Sequence, residues 1–543
     1  MVDIRSVVKY VKKLPDVVYA EDNLYTCSQD TQERIKEAIN EHKLNRIVVS
    51  SCTPRTHEPL FQETIRQAGL NPHLFEMANI RDQDSWVHMK EPQKATEKAK
   101  NLTKMAVAKA RLIEPLEKTA LKLTHKGLVI GGGIAGMTSA LRLAEEGYEV
   151  YLVEKEKELG GQARDIYYTL EGEDVQKFLG ELIDKVKSND KIHIFSTATV
   201  EKIEGFVGNF KTTIKVNSSL QELECGIIIV AIGAKEYQPS EYLYGKHRRV
   251  ITQRQLEKLI ASEKLDINSQ SSMVMIQCVG SRNDDHPYCS RICCSEAIKN
   301  ALKIKKMNKK SNVYILYRDV KTYGFKEDYY QKAREEGVIF IRYEEENKPE
   351  VRENEGRLEV LVKDLILHEK LLISADLVVL STATVSPEGN KKLSQMLKVP
   401  LNEDGFFLEA HVKLRPVDFA TDGIFLCGLA HSPKFIEESI SQANACVSRA
   451  CTILSKDQLE VEGTVVKVNE VKCVGCSLCK EVCPYGAIDV KLKRVLGKEK
   501  EVAEVSIALC KGCGACVASC RSGAIDLKGF SNEQILAQIG ALI

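Results

Sequence analysis

Eighteen of the chain's 543 residues are cysteines, and their spacing matters more than their number. Cys473, Cys476, Cys479 and Cys483 are followed by Cys510, Cys513, Cys516 and Cys520, so the run C-x2-C-x2-C-x3-C occurs twice. Three thiolates at that spacing can wrap a tight loop around one iron–sulfur cubane, while the fourth reaches a second cubane. The pattern assigns Cys473, Cys476, Cys479 and Cys520 to one [4Fe–4S] cluster and Cys510, Cys513, Cys516 and Cys483 to the other. It also places the fourth cysteine of each run in a short helix. Gly475, Gly512 and Gly514 keep the loops small, and backbone N–H groups there can donate to the inorganic sulfides. Paired CxxC motifs also bind zinc. The doubled order, with PYGAID after the first run echoed by RSGAID after the second, favours two cubanes. Arg521 stands where the first run has Pro484, and the ligand set does not depend on it.

This doubled order is the ligand pattern of two-cluster bacterial ferredoxins. A second group of thiols lies further upstream: Cys278, Cys289, Cys293 and Cys294, joined by the polar loop SRNDDHPY. Four thiolates in so short a span could close around a third [4Fe–4S] cluster. Adjacent cysteines diverge unless the backbone turns between them, so buried or redox-active thiols without metal are the alternative. The remaining six, Cys27, Cys52, Cys225, Cys427, Cys446 and Cys451, are scattered.

The centre of the chain has a different chemistry. Lys126–Ile130 reads as a buried strand, followed directly by Gly131, Gly133 and Gly136 in the order GxGxxG. A helix is expected from Ile134 to about Glu146, and Glu149–Val153 forms a second strand ending in Glu154. In this βαβ fingerprint the first glycine allows the tight turn and the second lets a pyrophosphate approach the backbone. The third allows close helix–strand packing, and the acid meets a ribose hydroxyl. Leu159-Gly160-Gly161-Gln162, the strand-and-turn segment Ile228–Gly233 and the segment Thr421–Gly428 follow in the order found in FAD enzymes. Ile134, Ala135, Lys155, Gly161, Gln162, Val200, Ala231, Gly233 and Gly428 complete the candidate cofactor-binding set. The fold expected is α/β, a Rossmann-type, thioredoxin-reductase-like FAD domain with two dinucleotide subdomains. In the second of these, strand Met273–Gln277 leads to Cys278-Val-Gly-Ser-Arg282 instead of a glycine turn, which argues against a nicotinamide site.

These elements divide the chain into an N-terminal α/β domain (1–118), an FAD domain (119–460, second nucleotide subdomain about 240–385) and a ferredoxin domain (461–543). A net charge of +1 gives no bias toward nucleic acid or anionic membrane. No apolar run approaches a membrane span, and Asp3 and Arg5 interrupt any signal-like start, so a cytoplasmic location is expected. In the N-terminal domain a strand at Arg46–Ser50 and helices at Thr56–Ala68 and Pro92–Leu112 are expected. Cys52 at a strand end could be reactive or merely buried; His57, His73 and His88 lack ligand spacing, and Trp86 and Met89 are expected to pack.

The segment IQCVGSR…PYCSRICCSEAIKNALKIK, with SSCTPRTHEPLF, GLNPHLFEMANIRDQDSWVHM and ATEKAKNLTKMAVAKARL, resembles the A-type polypeptide of heterodisulfide reductase over nearly the whole chain. The resemblance implies a soluble electron-bifurcating complex in which FAD splits electron pairs between ferredoxin and a disulfide-type acceptor on a partner. The implied partners are B- and C-type subunits, a hydrogenase-, formate- or NADH-linked donor module and ferredoxin, with a homodimer inside the complex. A self-sufficient NAD(P)H-dependent flavin oxidoreductase is the alternative. The resemblance also places Lys299, on the expected helix Ser295–Met307, beside the reactive end of the flavin; spacing alone reads it as a solvated helix charge. Two departures stand out. Longer members carry a ferredoxin insert in the FAD domain, absent here after Gly161, and they open with a cysteine-bearing CxCG strand before the position of Met1.

Overall fold

The computed structural model describes residues 2–117, 119–266, 271–461 and 463–543. It forms two compact units, Lys122–Leu459 and Met1–Leu121 with Glu460–Ile543.

Lys122–Leu459 uses one plan twice. Its first five-stranded parallel sheet runs in the order Ile424–Leu426, Ile227–Val230, Lys126–Ile130, Glu149–Val153, Ile192–Phe195. Parallel strands covered on both faces must be apolar throughout, and Ile227–Val230 is buried at every position. Alternation then sorts the side chains between two cores. Val129, Ile227 and Ile229 face the helices Ile134–Glu145, Val175–Lys187 and Ile436–Leu454. Leu128, Ile130, Ile228 and Val230 face a core that includes Phe210, Ile214 and Leu223 of the antiparallel strands Ala198–Phe206, Asn209–Val216 and Ser219–Cys225.

The second sheet repeats this with Val250–Thr252, Leu377–Thr382, Ser272–Val279, Asn312–Tyr317 and Ile339–Arg342, again all parallel. Met273, Met275, Val313 and Ile315 pack on the helices Gln253–Ala261, Cys293–Met307 and Glu327–Glu335. Val274, Ile276, Leu316 and Val378 meet Leu358, Val360 and Ile373 of a second antiparallel sheet. A capping box fixes the start of Gln253–Ala261: Thr252 Oγ1 accepts from the Gln255 N–H, and the Gln255 side chain accepts from the Thr252 N–H. That helix carries Arg254 and Glu257.

In the other unit the parallel strands Ile47–Ser51 and Phe75–Asn79 lie among the helices Ile4–Val11, Gln29–His42, Pro54–Gln67 and Pro92–Ala110. The cysteine-rich segment forms the hairpin Ile488–Val495/Lys498–Val505 and the pair Val466–Val468/Ile525–Leu527. Phe530 seats its ring 3.6 Å from the Lys109 ammonium, which is ion-paired with Glu76 at 2.7 Å. Gln534 donates to the Leu112 carbonyl. These contacts tie the N-terminal and cysteine-rich segments into one body.

Three local expectations are corrected. The short helices Leu478–Glu481 and Ala515–Ser519 carry the third cysteine of each run, Cys479 and Cys516, and the fourth follows the helix. The upstream cysteine pair lies inside its helix, because Cys293–Met307 begins two residues before Ser295. Trp86 and Met89 are exposed beyond a π-turn at Arg81–Ser85, and the Arg81 guanidinium lies 5.0 Å from the Trp86 ring.

Candidate cofactor sites

The glycine turn is shaped by backbone contacts that leave no room for a side chain. Gly131 has φ +109°, and a Cβ there would stand 2.3 Å from the Ala231 carbonyl oxygen. A Cβ on Gly136 would stand 1.8 Å from the Gly131 oxygen, so the first turn of Ile134–Glu145 sits directly on the turn before it. At Gly133 a Cβ would meet nothing within 4 Å, which leaves open space before the helix N-terminus. Gly160 bridges to Gly133 and Gly161 lies against it. Glu154, 6% exposed, accepts from the Gly132 N–H at 2.5 Å and the Glu156 N–H at 2.8 Å. Gly428, at φ +69°, abuts Ala135 on that first helical turn.

The structure therefore gathers Gly131, Gly133, Ile134, Ala135, Gly136, Glu154, Gly161, Ala231 and Gly428 around one opening. Gly233, at φ +75°, continues the turn after Ala231. Gln162 Nε2 donates to the Ala234 carbonyl, and its Oε1 accepts from Arg254 at 2.6 Å. Val200 packs in the core beside the same sheet, whereas the Lys155 side chain is largely solvent-exposed and lies 4.0 Å from Glu156. Free N–H groups at a helix N-terminus, a cradle that only glycine permits and a carboxylate at the next strand end fit a bound dinucleotide.

The corresponding place in the second sheet is built differently. A register shift between Ile276 and Val279 pushes Cys278 out of the ladder, at φ +62°. The polar loop then returns Cys289, and Cys293 and Cys294 occupy the first turn of Cys293–Met307, about 100° apart around its axis. Burial, then the neighbouring Cys294 and Cys289, push the Cys278 thiol up to about 11, while Arg282 and Arg318 pull it down. Burial of this kind keeps thiols protonated unless a metal replaces the proton. The Arg291 N–H reaches Cys289 Sγ at 3.4 Å, and Arg282 pairs with Asp319 at 2.8 Å.

Lys299 is no solvated charge. Its side chain is 9% exposed, its ammonium lies 2.8 Å from the wholly buried Glu257 carboxylate, and it donates to the Tyr168 carbonyl at 2.8 Å. Glu257 also accepts from the Tyr167 and Tyr168 N–H groups. Burial pushes the Glu296 carboxyl up to about 7 against the pull of Lys299 and Arg254. Glu257 and Arg254 carried no sequence signal, because their partners Lys299, Tyr167 and Gln162 lie far along the chain, and Glu296 carried none because its effect comes from burial.

In the cysteine-rich segment, burial raises the Cys516 thiol to about 11, and Cys510, Cys483 and Cys513 are the charges that add to it. Cys479 is raised likewise by burial, with Cys473 and Cys476 adding to it. The N–H groups of Ala503, Ala487 and Ala524 point at Cys473, Cys483 and Cys520 sulfurs at 3.3–3.4 Å. Such bonds stabilise thiolates and tune a cluster's potential. Among the described residues no three His, Cys, Asp or Glu side chains converge on a single-ion site. A cubane, whose four irons each take one thiolate, asks for sulfurs spaced around it. In the N-terminal segment Cys27, Cys52 and His57 line a cleft of about 1720 Å³. No helix among the described residues is long and apolar enough to cross a membrane.

Residues 125–274 match the family model described as pyridine nucleotide-disulphide oxidoreductase, and residues 472–525 match the 4Fe-4S dicluster domain. The A-type polypeptide of the H(2):CoB-CoM heterodisulfide,ferredoxin reductase of Methanothermobacter thermautotrophicus is 37% identical over 90% of this chain and 88% of its own length. An A-type heterodisulfide reductase-like protein of Archaeoglobus profundus is 35% identical over 100% of this chain and 96% of its own. That alignment runs over 676 positions, so the relative carries segments this chain lacks. The A-type polypeptide of the ferredoxin/F(420)H(2)-dependent CoB-CoM heterodisulfide reductase of Methanosarcina acetivorans is 35% identical over 99% of this chain and 78% of its own.

Proposed function

The chain belongs to the family of A-type heterodisulfide reductase polypeptides, and on that premise we propose that it is the electron-distributing subunit of a complex. It would take electron pairs from a hydrogenase-, formate- or NADH-linked donor module. One electron would leave toward ferredoxin and the other toward a disulfide-type acceptor on B- and C-type partner subunits. The observation that carries this reading is the helix Cys293–Met307. Its first turn presents two thiols of the middle cysteine group, and the buried Lys299 follows five residues after Cys294, roughly 8 Å along the axis.

FAD, when bound, supplies the exchange between two-electron and one-electron chemistry. Gly131, Gly133 and the N-terminus of Ile134–Glu145 would hold its pyrophosphate, and Glu154 its ribose. Lys299, fixed by Glu257, would set a positive charge where reduction adds a negative one. Cys278, Cys289, Cys293 and Cys294 would hold a cluster next along the path. Cys473, Cys476, Cys479 and Cys520, with Cys510, Cys513, Cys516 and Cys483, would hold two more.

Anaerobically isolated protein is expected to contain one FAD and about eight to twelve irons per chain, four for each cluster. NADH or NADPH alone should not reduce the flavin quickly. Zinc in place of iron would end the reading, and rapid saturable bleaching by either nucleotide would favour a self-sufficient NAD(P)H oxidoreductase.

A further inference from the structure

Between the glycine turn and the middle cysteine loop lies a polar network that neither the motifs nor the proposed electron path uses. It is built on the loop joining the turn Gly428–Ala430 to the helix Ile436–Leu454. Lys434, 8% exposed, donates to His431 Nδ1 at 3.1 Å and to Gln442 Oε1 at 2.9 Å. Gln442 Oε1 also accepts from the Gly428 N–H at 3.0 Å, and its Nε2 donates to the same His431 Nδ1 at 2.9 Å. With two donors converging on Nδ1, that nitrogen must be the acceptor, so Nε2 carries the proton and donates it to Glu409 at 2.9 Å. The result is a fixed line from carboxylate through imidazole to a buried amine.

Both ends of the loop are anchored to candidate cofactor sites. Through Gln442 the line reaches Gly428, whose Cα abuts Ala135 on the first turn of the pyrophosphate-type helix. On the other side Arg291, within the cysteine loop, donates to the Pro433 carbonyl at 3.0 Å and pairs with Glu438 at 2.7 Å. A lone ammonium in so dry a place is costly unless a negative charge is due there. Glu409 is separated from Lys434 by the imidazole, and Glu438 is already taken by Arg291.

We propose that Lys434 is a proton-exchanging cation for the bound flavin, positioned by His431, Gln442 and Glu409 and distinct from Lys299. The proposal rests on the FAD reading above. Reduction of oxidised FAD by two electrons and one proton leaves the isoalloxazine anionic. A neutral Lys434 amine would then take up one further proton from solvent and become the compensating ammonium. The groups facing Lys434 are His431 and Glu409 on its own side, Glu438 and Arg291 across the loop, and the buried thiols of Cys427 and Cys446. Burial first, with Arg291 adding to it, pulls the Lys434 ammonium down to about 8, against Glu438 and the two thiols. The added negative charge of reduced flavin must raise that value. Between the oxidised-state and reduced-state values, reduction therefore consumes one extra proton.

The test is an anaerobic dithionite titration of flavin absorbance in the full chain at pH values on both sides of 8, after FAD content has been measured. The wild-type midpoint should steepen above that pH by one proton per two electrons. Lys434→Met should give a single unbroken line with FAD still bound, and Glu409→Gln should move the break to lower pH, since it removes a negative charge from the line. If Lys434→Met does not fold, the displaced break in Glu409→Gln carries the result. Superimposable profiles for wild type and a flavin-loaded variant would overturn the role of Lys434. A wild-type chain that holds no flavin would instead overturn the FAD reading, and this proposal with it.

Discussion

The two halves of Lys122–Leu459 share a frame and differ at one loop. Each has a five-stranded parallel sheet, helices on one face and a three-stranded antiparallel sheet on the other. In each, a buried strand points its C-terminal end at the place where such sheets bind ligands. After Lys126–Ile130 the chain makes a glycine turn straight into a helix; after Ser272–Val279 it makes a bulge and a polar loop bearing thiols. Even the glycine that remains there is used otherwise. A Cβ on Gly280 would stand 2.2 Å from the Tyr237 ring, so an aromatic side chain fills the approach that Gly133 leaves open. A sheet of this kind fixes where a ligand goes, and the loop decides which ligand.

The sharpest way to break the comparison is to remove what each loop would hold and ask whether the other half notices. Gly131→Ala places a methyl 2.3 Å from a backbone oxygen that cannot yield, at a φ of +109°. FAD should be lost while the iron content stays. Cys289→Ser with Cys293→Ser should do the reverse, removing about four irons and leaving flavin and the remaining clusters in place. Iron and flavin assays on the purified variants decide it. Loss of both cofactors from either variant would mean that the halves are not separable sites, and unchanged iron would return the middle cysteines to a structural role.

How much of this was legible in the sequence follows the range of the interactions. Lys126–Ile130, Glu149–Val153 and the helix after Gly133 lie where the motif put them, because glycine conformation and apolar alternation act over a few residues. The start of Cys293–Met307 did not, since Cys293 and Cys294 carry no capping signal and the helix has no side-chain N-cap. Lys299 looked solvated because its partner Glu257 comes from a different helix, and the His431–Glu409 pair is likewise made across a loop. The cysteine spacing marked the C-terminal thiols and misplaced the short helices among them, because spacing fixes loop length and says little about which cysteine begins a turn.

A smaller effect tests whether the buried Lys299–Glu257 ion pair is structural as well as electrostatic. Lys299→Met keeps the apolar stem but leaves the Glu257 carboxylate, wholly buried, without its cation. Breaking a buried pair from one side costs about 3–5 kcal/mol, so the variant should unfold at clearly lower denaturant or temperature. Adding Glu257→Gln should recover most of that loss, while the flavin potential stays displaced in both variants. A Lys299→Met protein as stable as wild type would remove Glu257 from the account.

The smallest effect is the most direct reading of the comparison, because it applies the same substitution at the matching turn. Gly280, like Gly131, has a left-handed backbone, at φ +77°. Alanine pays roughly 1–2 kcal/mol for that conformation at either place. The atoms it meets are different in kind. At Gly131 they belong to the backbone of Ala231 and Ile232, locked into the central sheet; at Gly280 they belong to the ring of Tyr237. That ring makes a long 3.5 Å contact to Glu241 and an edge-on contact with His286 and packs at the margin of the second core, so it is a side chain that can shift where backbone cannot. Gly280→Ala should therefore cost little beyond the backbone penalty and keep both FAD and the full iron content. It should remain as unreactive toward NADH and NADPH as the wild type. Loss of flavin in this variant, or a gain of nicotinamide reactivity on freeing the ring, would mean that the second turn is a nucleotide site in disguise and that the two loops are alike after all.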